Sequence, residues 1–161
     1  MTRDRPVQLE TSSGRRHTFE SIVASKSETC TELFLRGTAP SLRDLEGSEY
    51  DGRNLSIVSL FLRIRRFIKG FAVQNPGSAP DSIDGYNLWA RQDNGLDTPW
   101  EPWSPHPHGF YKVYRVKPHE RDNKYPHALM LNYALGRNPW HHPSRFLRDY
   151  LVQVYPDDPS L

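Results

Sequence analysis

The sequence predicts an α+β domain that is mainly β, with an antiparallel sheet that curls toward a lipocalin-like or open barrel. Two observations carry this expectation. After Gly70, short segments rich in aromatic and β-branched residues recur between connections that hold Pro, Gly, Asn and Asp. The N-terminal third carries helical spacing and helix-end signals instead. Because the connections between successive strands are short, neighbouring strands are expected to pair antiparallel.

Composition sets the class of protein. The 161 residues suit one domain over 18–161, preceded by a polar, flexible arm over 1–17. Aromatic residues make up 12% of the chain, so the core must use large flat side chains. With 21 basic and 19 acidic residues, the chain lacks the charge imbalance of a nucleic-acid binder. The absence of a signal-like N-terminus and of a long apolar run predicts a cytoplasmic protein with no integral membrane segment.

Two or three short helical stretches are predicted before the sheet. Residues 18–36 suit one or two helices, the second beginning at Ser27 and ending at Gly37. A further helical turn follows, with Ser41 as its cap and Gly47 as its terminator.

Residues 56–70 carry the strongest helical periodicity in the chain. The apolar positions on one face are Ile57, Leu60, Phe61, Ile64 and Ile68, and the basic positions away from it are Arg63, Arg66 and Lys69. The pattern predicts a basic amphipathic helix that packs across the sheet with its charged side in solvent. Its Ile and Val content leaves a strand possible for the first half.

About six strands are predicted. They cover 49–55, 70–74, 83–91, 108–117, 126–135 and 148–156. In the last two, both faces are apolar with isolated polar groups such as Asn132 and Gln153. This is typical of a concave, ligand-holding sheet, although a plain core whose amides bond to loops gives the same pattern.

The histidines are the first candidates for chemistry. His106, His108, His141 and His142 lie in two loops and could together hold zinc, iron or haem. Prolines flank them and no acidic ligand stands at a fixed short spacing, so rim positions are favoured and neither metal nor cofactor is predicted. The chain also has no nucleophile elbow, phosphate loop or dinucleotide fingerprint.

Two segments resemble a known family. Residues 45–55, "LEGSEYDGRNL", resemble the Gly-x-Trp turn that opens the barrel of lipocalin-like (calycin) proteins, more loosely an uncharacterised bacterial group with a Gly-x-Trp-x-Gly signature. Residues 129–154 are also similar to that group, with a strand ending in Asn-Tyr, a Gly-x-Asn-Pro turn and an Arg-Asp strand opening. Tyr50 stands where the family has Trp, three residues after Gly47 rather than two.

The resemblance implies a curled barrel with a ligand inside, and Arg148 packed over Tyr50. Such barrels need about eight strands to enclose one small ligand. Either residues 54–58 form a strand or the sheet is open, which would favour a homodimer or a partner chain at the sheet edge.

The expected function is the binding of a hydrophobic or aromatic small molecule. The residues expected to contact or orient it are Asn87, Trp89, Trp100, Trp103, His106, Phe110, Asn132, Tyr133 and Gln153. A cofactor-free isomerase or cyclase on the same scaffold is the alternative, with His108, Asp149 or Tyr114 as its acid or base. A structural subunit that pairs through an open sheet edge is the third interpretation.

Overall fold

A computed structural model describes residues 16–55, 64–73, 81–92, 98 and 100–157. The predicted flexible arm therefore lies outside the described residues, apart from positions 16 and 17. Arg16 pairs with Asp157 at 2.7 Å between the guanidinium and a carboxylate oxygen. The two ends of the described chain thus meet.

The predicted N-terminal helices are confirmed. Helix α1 covers Phe19–Val23, α2 covers Ser27–Arg36 and α3 covers Leu42–Leu45. Thr18 caps α1 in a reciprocal arrangement with the Ser21 side chain, and Ser41 accepts from the Arg43 amide. These caps bond amides that have no partner within the first turn, which lets such short helices form.

Within the described ranges, six antiparallel strands follow in a simple meander. They are β1 (Glu49–Arg53), β2 (Arg66–Phe71), β3 (Ser82–Trp89), β4 (His108–Arg115), β5 (Leu129–Asn132) and β6 (Arg148–Leu151). Their order in the sheet is their order in the chain, and every neighbouring pair is antiparallel. The predicted mainly β class and the open, curled sheet are confirmed, with β1 and β6 at its two edges.

The predicted helix over 56–68 is wrong where the structure describes it. Residues 66–71 form β2, and their exposure follows a two-residue alternation over most of the strand. The expected strand over 70–74 accordingly begins earlier, at Arg66. The apolar positions fit a helical spacing by coincidence, because Ile64 and Ile68 are also separated by an even number of residues. Residues 56–63 lie outside the described part.

The two faces of the sheet differ in what covers them. The strand registers place one set of buried residues on the face that we call the inner face: Phe71, Ile83, Tyr111, Val113, Leu129 and Leu131. Leu45 of α3 and Tyr133 complete this core. On the opposite, outer face lie two smaller clusters, one around Ile68 and Leu88 and one around Tyr114 and Met130.

Glycines allow aromatic rings to lie directly over neighbouring strands. Across the β1–β2, β2–β3 and β3–β4 pairs, the directly opposed partners are Gly52 with Phe67, Gly70 with Tyr86, and Gly85 with Tyr111. A Cβ at these glycines would lie 2.1, 2.2 and 2.1 Å from the opposing ring. The rings therefore cover bare backbone, an arrangement that supports the curvature of a sheet.

Candidate functional site

A cluster of four polar side chains lies on the inner face, and Lys69 is at its centre. The Lys69 Nζ donates to Tyr133 Oη at 2.8 Å, to Asp149 Oδ2 at 3.2 Å and to Asn87 Oδ1 at 3.3 Å. An ammonium group has three N–H donors, so these bonds use its full capacity. We call Lys69, Asn87, Tyr133 and Asp149 the Lys69 cluster.

The curl of the sheet brings the cluster together. Lys69 and Asn87 are opposed in register on β2 and β3, whereas Asp149 lies on β6. Three strands separate β2 from β6, so a flat sheet would hold them about 19 Å apart at the usual strand spacing. The direct Lys69–Asp149 contact therefore requires that the sheet wraps around its inner face.

Hydrogen bonds run in one direction through the cluster. Lys69 donates to the Tyr133 hydroxyl, which in turn donates to Asp149 Oδ2 at 3.1 Å. Burial raises the pKa of Tyr133, and the neighbouring Lys69 charge only partly opposes this shift. Tyr133 thus keeps its proton at neutral pH and can serve as the donor to Asp149.

Aromatic rings surround the ammonium. Lys69 Nζ lies 4.9 Å from the Tyr111 ring centroid, 5.4 Å from that of Tyr133 and 5.5 Å from that of Phe67. Such contacts stabilise a cation that is removed from water. They help to explain how a side chain that is only 17% exposed can remain paired with a carboxylate.

A pocket of about 250 Å³ opens beside the cluster, where β1 and β6 leave the sheet unclosed. Lys69 reaches its wall, and apolar side chains form most of the rest: Phe19, Ile22, Tyr50, Phe71, Leu151 and Val154. Because α1 contributes Phe19 and Ile22, this short helix covers part of the gap between the two edge strands. We call this the seam pocket.

The structure brings several of the predicted site residues to this region. Asn87, Tyr133 and Asp149 are in the Lys69 cluster, and Gln153 lines the seam pocket. Trp89 and His108 lie further along the inner face, with their rings stacked at 4.3 Å between centroids and an interplanar angle of 6°. His108 is opposite Asn87 in register, so this stack adjoins the cluster.

Other predicted residues lie elsewhere. Tyr114 and Asn132 are on the outer face, where the Asn132 amide donates to the Tyr114 hydroxyl at 3.0 Å. Trp100 packs beneath the Arg66 guanidinium at 4.0 Å, and its Nε1 donates to Gly52 O at 3.2 Å. This pairing also corrects the expectation for Arg66, which is fully buried rather than solvated.

The predicted pocket mouth does not lie at the seam pocket. Trp103 is 75% exposed and His106 is also exposed, and neither lines the seam pocket. Phe110 is half-buried beneath the Arg137 guanidinium, 5.2 Å from its ring centroid. A role for these three residues in ligand contact stays a prediction.

The resemblance-based placement of Arg148 is wrong. Its guanidinium lies 3.2 Å from Asp122 and donates to two backbone carbonyl oxygens of the preceding residues. The ring packed against Tyr50 belongs to Phe71, at 5.8 Å between centroids.

The sequence interpretation missed Lys69, the residue that joins the cluster. The helix expected over 56–68 continued its pattern to Lys69 and turned that side chain toward solvent. The alternation of Phe67, Lys69 and Phe71 on one face was the available signal for a strand with an inward lysine.

Among the candidate histidines, His108 has a shifted pKa. Burial lowers the pKa of His108, and the neighbouring His142 lowers it further. Within the described ranges, no group of three or more His, Cys, Asp or Glu lies close enough to hold a metal ion.

The fold and site define a curled, six-stranded antiparallel half-barrel with a lysine-centred polar cluster beside an open seam. No family model, curated protein or solved structure matches the chain significantly. The resemblance to lipocalin-like proteins therefore stays a prediction. None of the helices in the described segments has the length and apolar character needed to cross a bilayer.

Proposed function

We propose that the protein binds a compact, hydrophobic or aromatic small molecule in the seam pocket. The observation that carries this proposal is the lining, which is mostly apolar and includes three polar side chains, Asp51, Lys69 and Gln153. Ligand sites typically combine such walls with a few groups that orient the guest. At about 250 Å³, the pocket suits a molecule smaller than an ordinary drug, since pockets for drug-sized ligands measure roughly 300–1,000 Å³.

The electrostatics of the cluster favour a neutral guest. Asp149 already balances the charge of Lys69, and the three N–H donors of Lys69 already have acceptors. An anionic ligand would have to compete with Asp149 for the ammonium. A neutral ligand with one hydrogen-bond acceptor needs to replace only the longest bond, the 3.3 Å contact to Asn87.

Titration with a neutral fluorescent probe, N-phenyl-1-naphthylamine, tests the proposal. Val154→Trp places a large side chain in the seam pocket, and we expect it to weaken probe binding at least tenfold. Val73→Trp is the matched control, because Val73 is 76% exposed and does not line the pocket. Thermal melts would show that both variants fold. Equal affinity of Val154→Trp and the natural protein would contradict the proposal.

Pairing through a sheet edge remains a second candidate, and the topology favours it. In the part of the chain that the structure describes, β1 and β6 each pair with a strand on one side only. Beyond β6, Thr38 bonds to Gln153 in both directions, at 3.0 and 2.7 Å, and covers the continuation of that edge. The β1 edge is thus the more open of the two, and light scattering of the purified protein would report a dimer formed there.

A further inference from the structure

We propose that the Lys69 cluster catalyses proton transfer at the carbon next to the carbonyl group of a bound hydrophobic ketone. This inference rests on the proposed function, because the ketone must occupy the seam pocket. Its support is the juxtaposition of three groups. Lys69 lines the pocket, and its ammonium contacts both the Asp149 carboxylate and the protonated Tyr133 phenol. A carboxylate base beside hydrogen-bond donors is the arrangement that enolisation requires.

Asp149 has the position of a base. Both hydrogen bonds that it accepts within the described residues, from Lys69 and Tyr133, end on Oδ2. Its side chain is 44% exposed, which leaves Oδ1 as the oxygen that a guest bound to Lys69 would meet. Asp149 does not itself line the seam pocket, but it is two residues before Leu151, which does, on the same face of β6. The two donors fix the orientation of the carboxylate.

Lys69 has the position of the group that stabilises the oxyanion. Its side chain lines the pocket, and the bond from its ammonium to Asn87 Oδ1 is the longest of the three. A ketone oxygen that replaces Asn87 would accept this N–H. The bond strengthens as negative charge develops on the oxygen, which lowers the barrier rather than only the free energy of the bound ketone.

The step balances without a cofactor. Asp149 Oδ1 forms a bond to the α-hydrogen as the α-carbon–hydrogen bond breaks. The released electron pair forms a carbon–carbon double bond, and the carbonyl electrons move to oxygen, where Lys69 balances the enolate charge. Asp149 then returns the proton to the same carbon, which exchanges hydrogen with solvent, or to the γ-carbon of an unsaturated ketone, which moves its double bond.

Deuterium exchange of 1-tetralone measures the step directly. In D₂O, proton NMR follows the loss of the α-methylene signal, and ligand titration under the same conditions measures binding. We expect the natural protein to accelerate exchange above the buffer rate. Asp149→Asn should reduce that acceleration at least tenfold while still binding 1-tetralone. Lys69→Met should also lose it. Asp149→Glu keeps a carboxylate and should retain part of the rate.

A second ion pair supplies the control. Lys112 and Asp84 lie 3.1 Å apart on the outer face, away from the seam pocket. Asp84→Asn removes the same kind of charge and should leave the exchange rate unchanged.

The outcomes separate the two proposals. If the protein binds 1-tetralone but exchange proceeds at the buffer rate, the inference is overturned and the proposed function stands. If the naphthalene probe binds and 1-tetralone does not, the ketone class is wrong and the inference fails. If neither binds, both proposals fail. If borohydride reduction attaches the tetralone skeleton to Lys69, the ketone reacts with Lys69 to form an imine. That result would overturn the inference that Lys69 acts only as a hydrogen-bond donor.

Discussion

Aromatic rings shield the two inward-packed basic side chains of β2, Arg66 and Lys69, from water. Arg66 is fully buried against Trp100 on the outer face, and Lys69 lies among three rings on the inner face. The two side chains belong to the same strand and point to opposite faces. Burial without such partners would cost several kcal/mol per charge, so the rings and hydrogen bonds are part of what makes β2 stable.

At His108, the two causes of the lowered pKa can be separated by experiment. Burial lowers the pKa more than the proximity of His142 does. We expect His142→Asn to raise the pKa of His108 but to leave it below the ordinary value of 6.5. NMR titration of the His108 ring would measure both values. An unchanged pKa would show that His142 exerts no electrostatic effect on that ring.

Trp103 gives a second prediction at this scale. Its side chain is 75% exposed, so Trp103→Ala should change the free energy of unfolding by no more than about 0.5 kcal/mol. A buried tryptophan would instead cost about 3–5 kcal/mol. Urea unfolding decides between these values. Measuring naphthalene-probe affinity on the same variant would test the expected role of Trp103 in ligand contact.

At the scale of elements, the sequence predicts the strands after Gly70 better than the point before it where the chain changes from helix to strand. The caps Thr18 and Ser41 and the aromatic alternation in 108–117 act locally, so they could be interpreted from the sequence. The site could be predicted only in part. Asn87 was predicted to orient a ligand, Tyr133 to contact it and Asp149 to act as an acid or base. Their mutual contact depends on the curl of the sheet, which no short segment encodes. Lys69 was missed because the residues around it fit both the helical periodicity and the two-residue alternation of a strand.

The glycine–aromatic pairs lead to a prediction about β3. In Gly85→Ala, the new methyl group would lie 2.1 Å from the Tyr111 ring and would have to displace it. We expect a loss of about 1–3 kcal/mol in the free energy of unfolding. Asp84→Ala, one residue away and exposed, should cost no more than about 1 kcal/mol. Similar losses in both variants would show that the ring does not depend on the bare backbone.

At the scale of the whole molecule, the buried tyrosines link stability to alkaline pH. Burial raises the pKa of both Tyr111 and Tyr133 above 10.0. Above pH 10 the unfolded chain therefore releases protons that the folded protein keeps. Below pH 10 both states keep these protons, so the free energy of unfolding is unaffected by them. It must decrease as the pH rises above 10.

Urea unfolding at pH 9, 10 and 11 would measure this fall. Tyr111→Phe removes one of the two groups, so its stability should decrease less steeply than that of the natural protein. Parallel curves for the two proteins would contradict the assignment of the effect to Tyr111.

The contact between Lys69 and Asp149 joins residues that are 80 positions apart in the chain. Each hairpin of the meander can form from its immediate neighbours, but this ion pair needs every strand from β2 to β6 to be in place. We therefore expect it to form after the rate-limiting step of folding. Asp149→Asn should then speed unfolding and leave the refolding rate almost unchanged in stopped-flow measurements, because the contact is absent from the transition state. The site would be the last part of the molecule to assemble and the first to come apart.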